Sequence, residues 1–238
     1  MALEAVTTAP DESAIFLDFD GVLAPIVDRP EDAYPPPETR AELARLCGRY
    51  ALVAIVSGRA GEDVRSRVDV DGLVYVGSHG LELDRQAQRW RHQIADFASD
   101  VAWPQKETEL KGLSVAFHFR HRADERQAVL ELEEIAGRAN DDGLVARFGR
   151  KVLEVLPPVG SNKGTAVRSL LDGAGLRRAL VAGDDTTDLD AFRGMREAEL
   201  ELTVCVAVRS DEGPPQLVEQ ADLVVDGTAG VLELLRQL

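Results

Sequence analysis

The chain has 238 residues, 45% apolar and 29% charged, enough for one large domain or for a domain carrying a smaller inserted one. A formal net charge of −15 and the lack of any basic stripe longer than Arg120-His121-Arg122 argue against a nucleic-acid partner, but not against a phosphorylated small molecule, which a few placed cations can hold. No apolar run approaches the roughly 20 residues that span a bilayer, residues 1–13 lack the pattern of a secretory leader, and Cys47 and Cys205 stand in no metal-type spacing. The expectation is a cytoplasmic monomer with free thiols and no membrane contact.

In chain order, a strand is expected over 14–19, a helix over 38–50, a strand over 51–56, a short helix over 61–68 and a strand over 73–76. After 157 the same rhythm returns: helix 165–171, strand 179–182, helix 188–195, strand 203–208, helix 214–220, strand 223–225 and helix 230–237. Short continuous apolar strands alternating with helices predict an α/β fold, a doubly wound parallel sheet covered on both faces. The intervening stretch breaks this pattern. It reads as a helix over 89–103, an alternating strand over 113–120, an amphipathic helix over 123–139 carrying Leu130 and Ile135, and a hairpin of 144–148 and 152–156 around Gly149-Arg150. Residues 83–157 are therefore expected to form a smaller α+β unit inserted into a core of 11–82 and 158–238, with Pro157-Pro158 as its stiff exit.

Ligands of an open parallel sheet sit outside the carboxyl ends of its strands, and here those ends carry the polar residues. The first strand runs into Asp18-Phe19-Asp20-Gly21, the second into Ser57-Gly58-Arg59, the third into Gly77-Ser78-His79-Gly80, and a later one into Gly183-Asp184-Asp185-Thr186-Thr187-Asp188; Lys163 opens a helix after Gly160-Ser161-Asn162. Each piece alone has an ordinary reading: an Asp-Gly turn, a helix cap at Ser57, an acidic turn, a solvated lysine. Together they would be four unrelated accidents at one end of one sheet. In an extended strand Asp18 and Asp20 project to the same side, roughly 6.5–7 Å apart, and buried carboxylates need a cation or donors to answer them. Neither a Gly-x4-Gly-Lys phosphate loop, nor a Gly-x-Gly-x-x-Gly turn, nor a His-Glu-x-x-His helix is present.

These residue types suit a phosphate monoester. Asp18 is the candidate nucleophile and Asp20 the acid/base; Asp18, Asp20 and Asp184 are the candidate ligands of Mg²⁺, with the main-chain carbonyl of Asp20 a further one; Ser57 and Lys163 would neutralise and orient the transferring oxygens.

With these residues placed, the chain resembles the haloacid dehalogenase superfamily: Asp18-Phe-Asp20-Gly, Ser57, Lys163, and Gly183-Asp184-Asp185 with Asp188 occur in its order. Within it, Val56-Ser-Gly-Arg59, Gly77-Ser-His-Gly-Leu-Glu82, Ala116-Phe-His-Phe-Arg120 and Lys151-Val-Leu-Glu-Val-Leu-Pro157 are similar to the trehalose-6-phosphate phosphatase family over nearly the whole chain. The resemblance implies a Rossmann-like core with a substrate-specifying cap, Asp185 and Asp188 behind the metal ligands, and cytoplasmic hydrolysis of trehalose 6-phosphate through an aspartyl-phosphate. It also implies sugar contacts from Glu109, Lys111, His118, Arg120 and Glu154, and substrate contacts from Arg59, His79 and Asn162. Glu109 and Lys111 differ in parity from His118 and Arg120, so a shared face requires Gly112 to act as a bulge. Val22 and Leu189 depart from the pattern, where a hydroxyl and an acid are common. A phosphatase of another sugar or trehalose-like phosphate, a phospho-acceptor domain and a sugar-phosphate sensor remain alternatives.

Overall fold

The computed structural model describes residues 2–27, 29–149, 151–210 and 213–238. The chain separates into two compact units, one formed by the chain up to Leu83 and from Ser161 onward, the other by Asp84–Gly160.

The first unit begins with a helix left unassigned from sequence, α1 (Ala2–Thr7), whose Val6 is fully buried. Strand β1 (Ser13–Leu17), helix α2 (Pro37–Cys47), β2 (Leu52–Val56), α3 (Gly61–Val68) and β3 (Val74–Val76) follow. The second unit then supplies α4 (Arg91–Asp100), β4 (Thr108–Leu110), β5 (Val115–His118), α5 (Glu125–Asp141), β6 (Val145–Gly149) and β7 (Val152–Leu156). The chain returns to the first unit with α6 (Lys163–Leu171), β8 (Arg178–Gly183), α7 (Asp188–Arg196), β9 (Leu202–Arg209), α8 (Pro215–Gln220), β10 (Leu223–Asp226) and α9 (Gly227–Gln237).

Six of these strands form one parallel sheet in the order β10-β9-β8-β1-β2-β3. Period-two geometry sends alternate residues to opposite faces, and the core divides accordingly. Ile15, Leu17, Val53, Ile55, Leu180 and Val206 pack with residues of α2, α3 and α9 on one face. Ala14, Phe16, Ala54, Val181 and Cys205 pack with α6, α7 and α8 on the other. Both faces being covered explains the continuous apolar runs that announced these strands. Strand order reverses between β1 and β8, which places the loops after β1, β2 and β8 side by side.

The second unit has an antiparallel sheet in the order β4-β5-β7-β6. One face, including Val115, Phe117, Leu153 and Val155, packs on Ile94 and Phe97 of α4 and on Leu132 and Ile135 of α5. Several local expectations are corrected. Leu130 is 56% exposed, and the buried stripe of α5 is Ala128, Leu132, Ile135 and Ala139, the proper 3.6-residue spacing. The helix expected over 89–103 is confined to Arg91–Asp100, because Val101 leaves the helical region. Strand β4 was not anticipated, and Arg120 lies beyond the end of β5, exposed in a turn. At the β6–β7 turn, Arg150 lies outside the described residues.

Gly112 does not form a bulge. β4 and β5 make a hairpin in which Glu109 stands opposite Ala116 and Leu110 opposite Val115, and the Lys111 N–H donates to the Ser114 carbonyl at 2.9 Å. Gly112 opens the two-residue turn at φ 80°. Residues directly opposite share a face, so chain reversal removes the parity conflict.

Candidate active site

Asp18 directly follows β1 and prolongs its pairing, its N–H donating to the Ala182 carbonyl at 3.0 Å. Gly21 then turns the chain at φ 74°, and a Cβ there would stand 2.0 Å from Asp184 Oδ2. The two acidic loops thus pass each other at a point where only glycine fits. On the far side, the Asp188 Oδ2 accepts the N–H groups of Asp184 (3.0 Å) and Asp185 (3.1 Å), folding the loop after β8 back onto the start of α7.

Lys163 is the first residue of α6. Asn162 caps that helix: its side chain accepts the Thr165 N–H at 2.9 Å while the Thr165 hydroxyl oxygen accepts the Asn162 N–H, so its amide oxygen serves the helix. Helices α6 and α7 touch backbone to backbone, a Cβ at Gly194 falling 2.4 Å from the Gly164 carbonyl oxygen. That approach brings the Lys163 ammonium between two acids, 2.8 Å from Asp18 Oδ2 and 2.7 Å from Asp188 Oδ1. Both helices deliver these residues to the loop after β1.

Asp18, Asp184 and Asp188 are all buried, and each offers an oxygen within 4.8 Å of the others. One ammonium does not balance three buried carboxylates. Burial, tempered by Lys163 and reinforced by Asp188, pushes the Asp18 carboxyl up to about 7. Burial and then the Asp18 and Asp188 charges push Asp184 up to about 9. Lys163 moves upward because the two carboxylates outweigh its burial. Hard oxygen donors crowded in this way fit a divalent cation such as Mg²⁺.

The remaining sequence candidates fall into place unevenly. Ser57 is buried at the end of β2, its hydroxyl oxygen accepting the Arg59 N–H at 3.2 Å. His79, in the left-handed region at φ 55°, packs on Gly58, where a Cβ would lie 2.6 Å from the ring. The loops after β2 and β3 are tied by the Glu82 carboxylate, which accepts the N–H groups of Gly61 and Gly77. The Asp20 carboxylate is not in the acidic cluster: Arg59 donates to it through Nε at 2.7 Å and Nη2 at 2.8 Å. Asp185 is exposed and accepts the Thr186 N–H. Val22 is fully buried in the core, and Leu189 packs on the α6–α8 side.

In the second unit, the face opposite its core is polar. Glu109, Ala116, Glu154 and Arg147 form one cross-strand row. Lys111 Nζ donates to Glu154 Oε1 at 3.3 Å, Ser114 Oγ donates to the same oxygen at 3.1 Å, and His118 Nε2 meets Glu109 Oε2 at 3.1 Å. Sequence reasoning missed Ser114, and it missed Asp63 and Arg67 beside Arg59, although the four-residue spacing of Arg59, Asp63 and Arg67 is a helical signal.

A parallel sheet with carboxylates at its strand ends and a separate antiparallel unit between β3 and α6 define a haloacid dehalogenase fold. A haloacid dehalogenase-like hydrolase from Bacteroides thetaiotaomicron shares it at TM-score 0.61 and 14% identity, over 95% of this chain and 99% of that one. A trehalose-6-phosphate phosphatase related protein shares it at TM-score 0.71 and 24% identity, over 94% and 95% of the two chains. The chain belongs to the trehalose-phosphatase family, whose pattern it matches over residues 16–228. The trehalose-phosphate phosphatase of Mycolicibacterium paratuberculosis is 34% identical over 221 residues, covering 84% of this chain and 56% of the relative, so the chain spans about half the length of that protein.

Proposed function

We propose that the protein is a Mg²⁺-dependent phosphatase that hydrolyses trehalose 6-phosphate to trehalose and phosphate. The observation that carries this reading is the Lys163-held Asp18 carboxylate beside Asp184 and Asp188 in a chain of the trehalose-phosphatase family. Asp18 and Asp184 would hold the cation together with the main-chain carbonyl of Asp20, with Asp188 behind them on Lys163 and the loop N–H groups, and the bound ion would offset negative charge on the phosphoryl oxygens.

Asp18 attacks phosphorus in line as the bond to the sugar oxygen breaks, and the departing oxygen takes its proton from the Asp20 carboxyl. Water then attacks the aspartyl-phosphate and gives a proton to the Asp20 carboxylate, restoring Asp18 and releasing phosphate. A placed acid/base contributes ~10²–10⁴ in rate. Lys163 and Ser57 hold the transferring oxygens, Lys163 by charge and Ser57 by its hydroxyl. Residues 83–157 act as the cap that sets specificity, with Glu109, Lys111, His118, Arg120 and Glu154 as the groups that recognise sugar hydroxyls, and His79 as a further substrate contact. Asn162 serves through the helix end that presents Lys163. Asp185 supports the loop after β8.

Two unpaired cysteines suit a reducing cytoplasm, and among the described residues no helix is long and apolar enough to cross a membrane. The deciding experiment is phosphate release from a panel of sugar phosphates with Mg²⁺ and with chelator. Selective, Mg²⁺-dependent turnover of trehalose 6-phosphate is the expected result; stoichiometric labelling without turnover would instead indicate a phospho-acceptor, and binding without release a sensor.

A further inference from the structure

We infer that Arg59, braced by Asp63, is a positioning residue for Asp20 and not a substrate contact. The inference rests on the phosphatase reading above, in which Asp20 transfers the proton.

Arg59 sits just after the β2 strand end with only 9% of its surface exposed, whereas the Asp20 side chain it grips is 40% exposed. Its guanidinium carries five N–H donors in a rigid fork. Nε and Nη2 engage both oxygens of Asp20, at 2.7 and 2.8 Å, and Nη1 donates to Asp63 Oδ2 at 3.2 Å. The same group lies over the Phe19 ring, 5.3 Å from its centroid. Its backbone is fastened too, since the Arg59 carbonyl accepts the Ser78 N–H at 2.7 Å and its N–H donates to Ser57 Oγ.

The brace extends outward. Asp63 stands one helical turn on, in α3, and Arg67 one turn further; Arg67 Nε donates to both Asp63 oxygens at 2.9 Å. Arg67 Nη1 in turn donates to the carbonyls of Glu31 at 2.9 Å and Ala33 at 3.2 Å. Asp20–Arg59–Asp63–Arg67 is thus one alternating chain of charges, anchored at its outer end on backbone and open to solvent at the carboxylate that needs a proton. For Arg59 to reach a substrate it would have to surrender a two-point ion pair and its ring contact together. A fork gripping both oxygens fixes the plane of the carboxyl, which a single hydroxyl at position 22 could not do; Val22 provides none and is buried in the core. Fixing that plane matters because a misplacement of about 1 Å in a reacting group can cost on the order of 10²-fold in rate.

Positioning of the proton donor predicts a dependence on the leaving group. In single turnovers with enzyme in excess and Mg²⁺ present, Arg59→Lys keeps the charge but loses the fork. Release from trehalose 6-phosphate, a poor leaving group that needs the proton, should fall about tenfold to hundredfold at saturation. Release of 4-nitrophenolate from its phosphate, which needs no proton, should stay within about threefold of wild type. The half-saturating enzyme concentration should move little for either ester. Asp63→Asn, which touches neither Asp20 nor substrate, should reproduce the pattern more weakly, and it serves as the test if Arg59→Lys does not fold. Equal loss on both esters, or weaker saturation with an unchanged limiting rate, would overturn the inference while leaving the phosphatase reading in place. Wild type that releases phosphate from neither ester would overturn that reading and this inference with it.

Discussion

Lys163 Nζ lies 2.8 Å from Asp18 Oδ2, and both groups are buried, so the proposed nucleophile and its cation depend on each other for tolerance of the interior. Removing one partner of a buried pair leaves the other uncompensated, at about 3–5 kcal/mol. Lys163→Met should abolish phosphate release to below about 1% of wild type, consistent with loss of one transition-state donor costing about 10²–10³. Urea unfolding at pH 8 should show a matching loss of stability, partly recovered at pH 5 where the Asp18 carboxyl is protonated.

The raised Asp18 and Asp184 carboxyls give stability a definite pH dependence. The folded protein holds their protons up to about 7 and about 9, whereas the unfolded chain releases them near 3.8. Folding therefore takes up protons across that window, and metal-free stability falls as pH rises through it. Lys163, moved upward, stays cationic throughout. Melting temperatures with chelator should decline from pH 5 to pH 9, and Mg²⁺ should raise them more at pH 8.5 than at pH 5.5, because cation and proton compete for the same oxygens. Asp184→Asn should flatten the chelator curve; an unchanged slope would place its origin elsewhere.

Glu154 accepts from both Lys111 and Ser114 on the polar face of the antiparallel sheet. Charged hydrogen bonds are worth about 1.5–3 kcal/mol, so Glu154→Ala should lower kcat/KM for trehalose 6-phosphate about tenfold to hundredfold and leave 4-nitrophenyl phosphate turnover near wild type. A comparable fall on both substrates, with a lower melting temperature, would show that Glu154 serves the sheet alone.

The parallel sheet was legible because strands covered on both faces write themselves as unbroken apolar runs, and because chemistry collects at their carboxyl ends. Asp18, Ser57 and Asp184 could be located that way, and Lys163 by the helix start it occupies. What could not be read is who pairs with whom: Asp20 finds Arg59 across 39 positions and Lys163 finds Asp188 across 25. Strand β4, three residues ending in an exposed Leu110, carries no periodicity to detect. On α5 the large apolar Leu130 faces solvent while the smaller Ala128 and Ala139 are buried, so side-chain size alone does not mark the core stripe.

The bare contact between Gly164 and Gly194 sets the spacing of the two chain segments that carry Lys163 and Asp188. Neither glycine possesses a group that could react, yet a single added methyl would wedge the helices apart and shift the ammonium relative to both acids. The accuracy of the site is consequently held at a place devoid of functional atoms, and a defect there would masquerade in an assay as a fault of the chemistry.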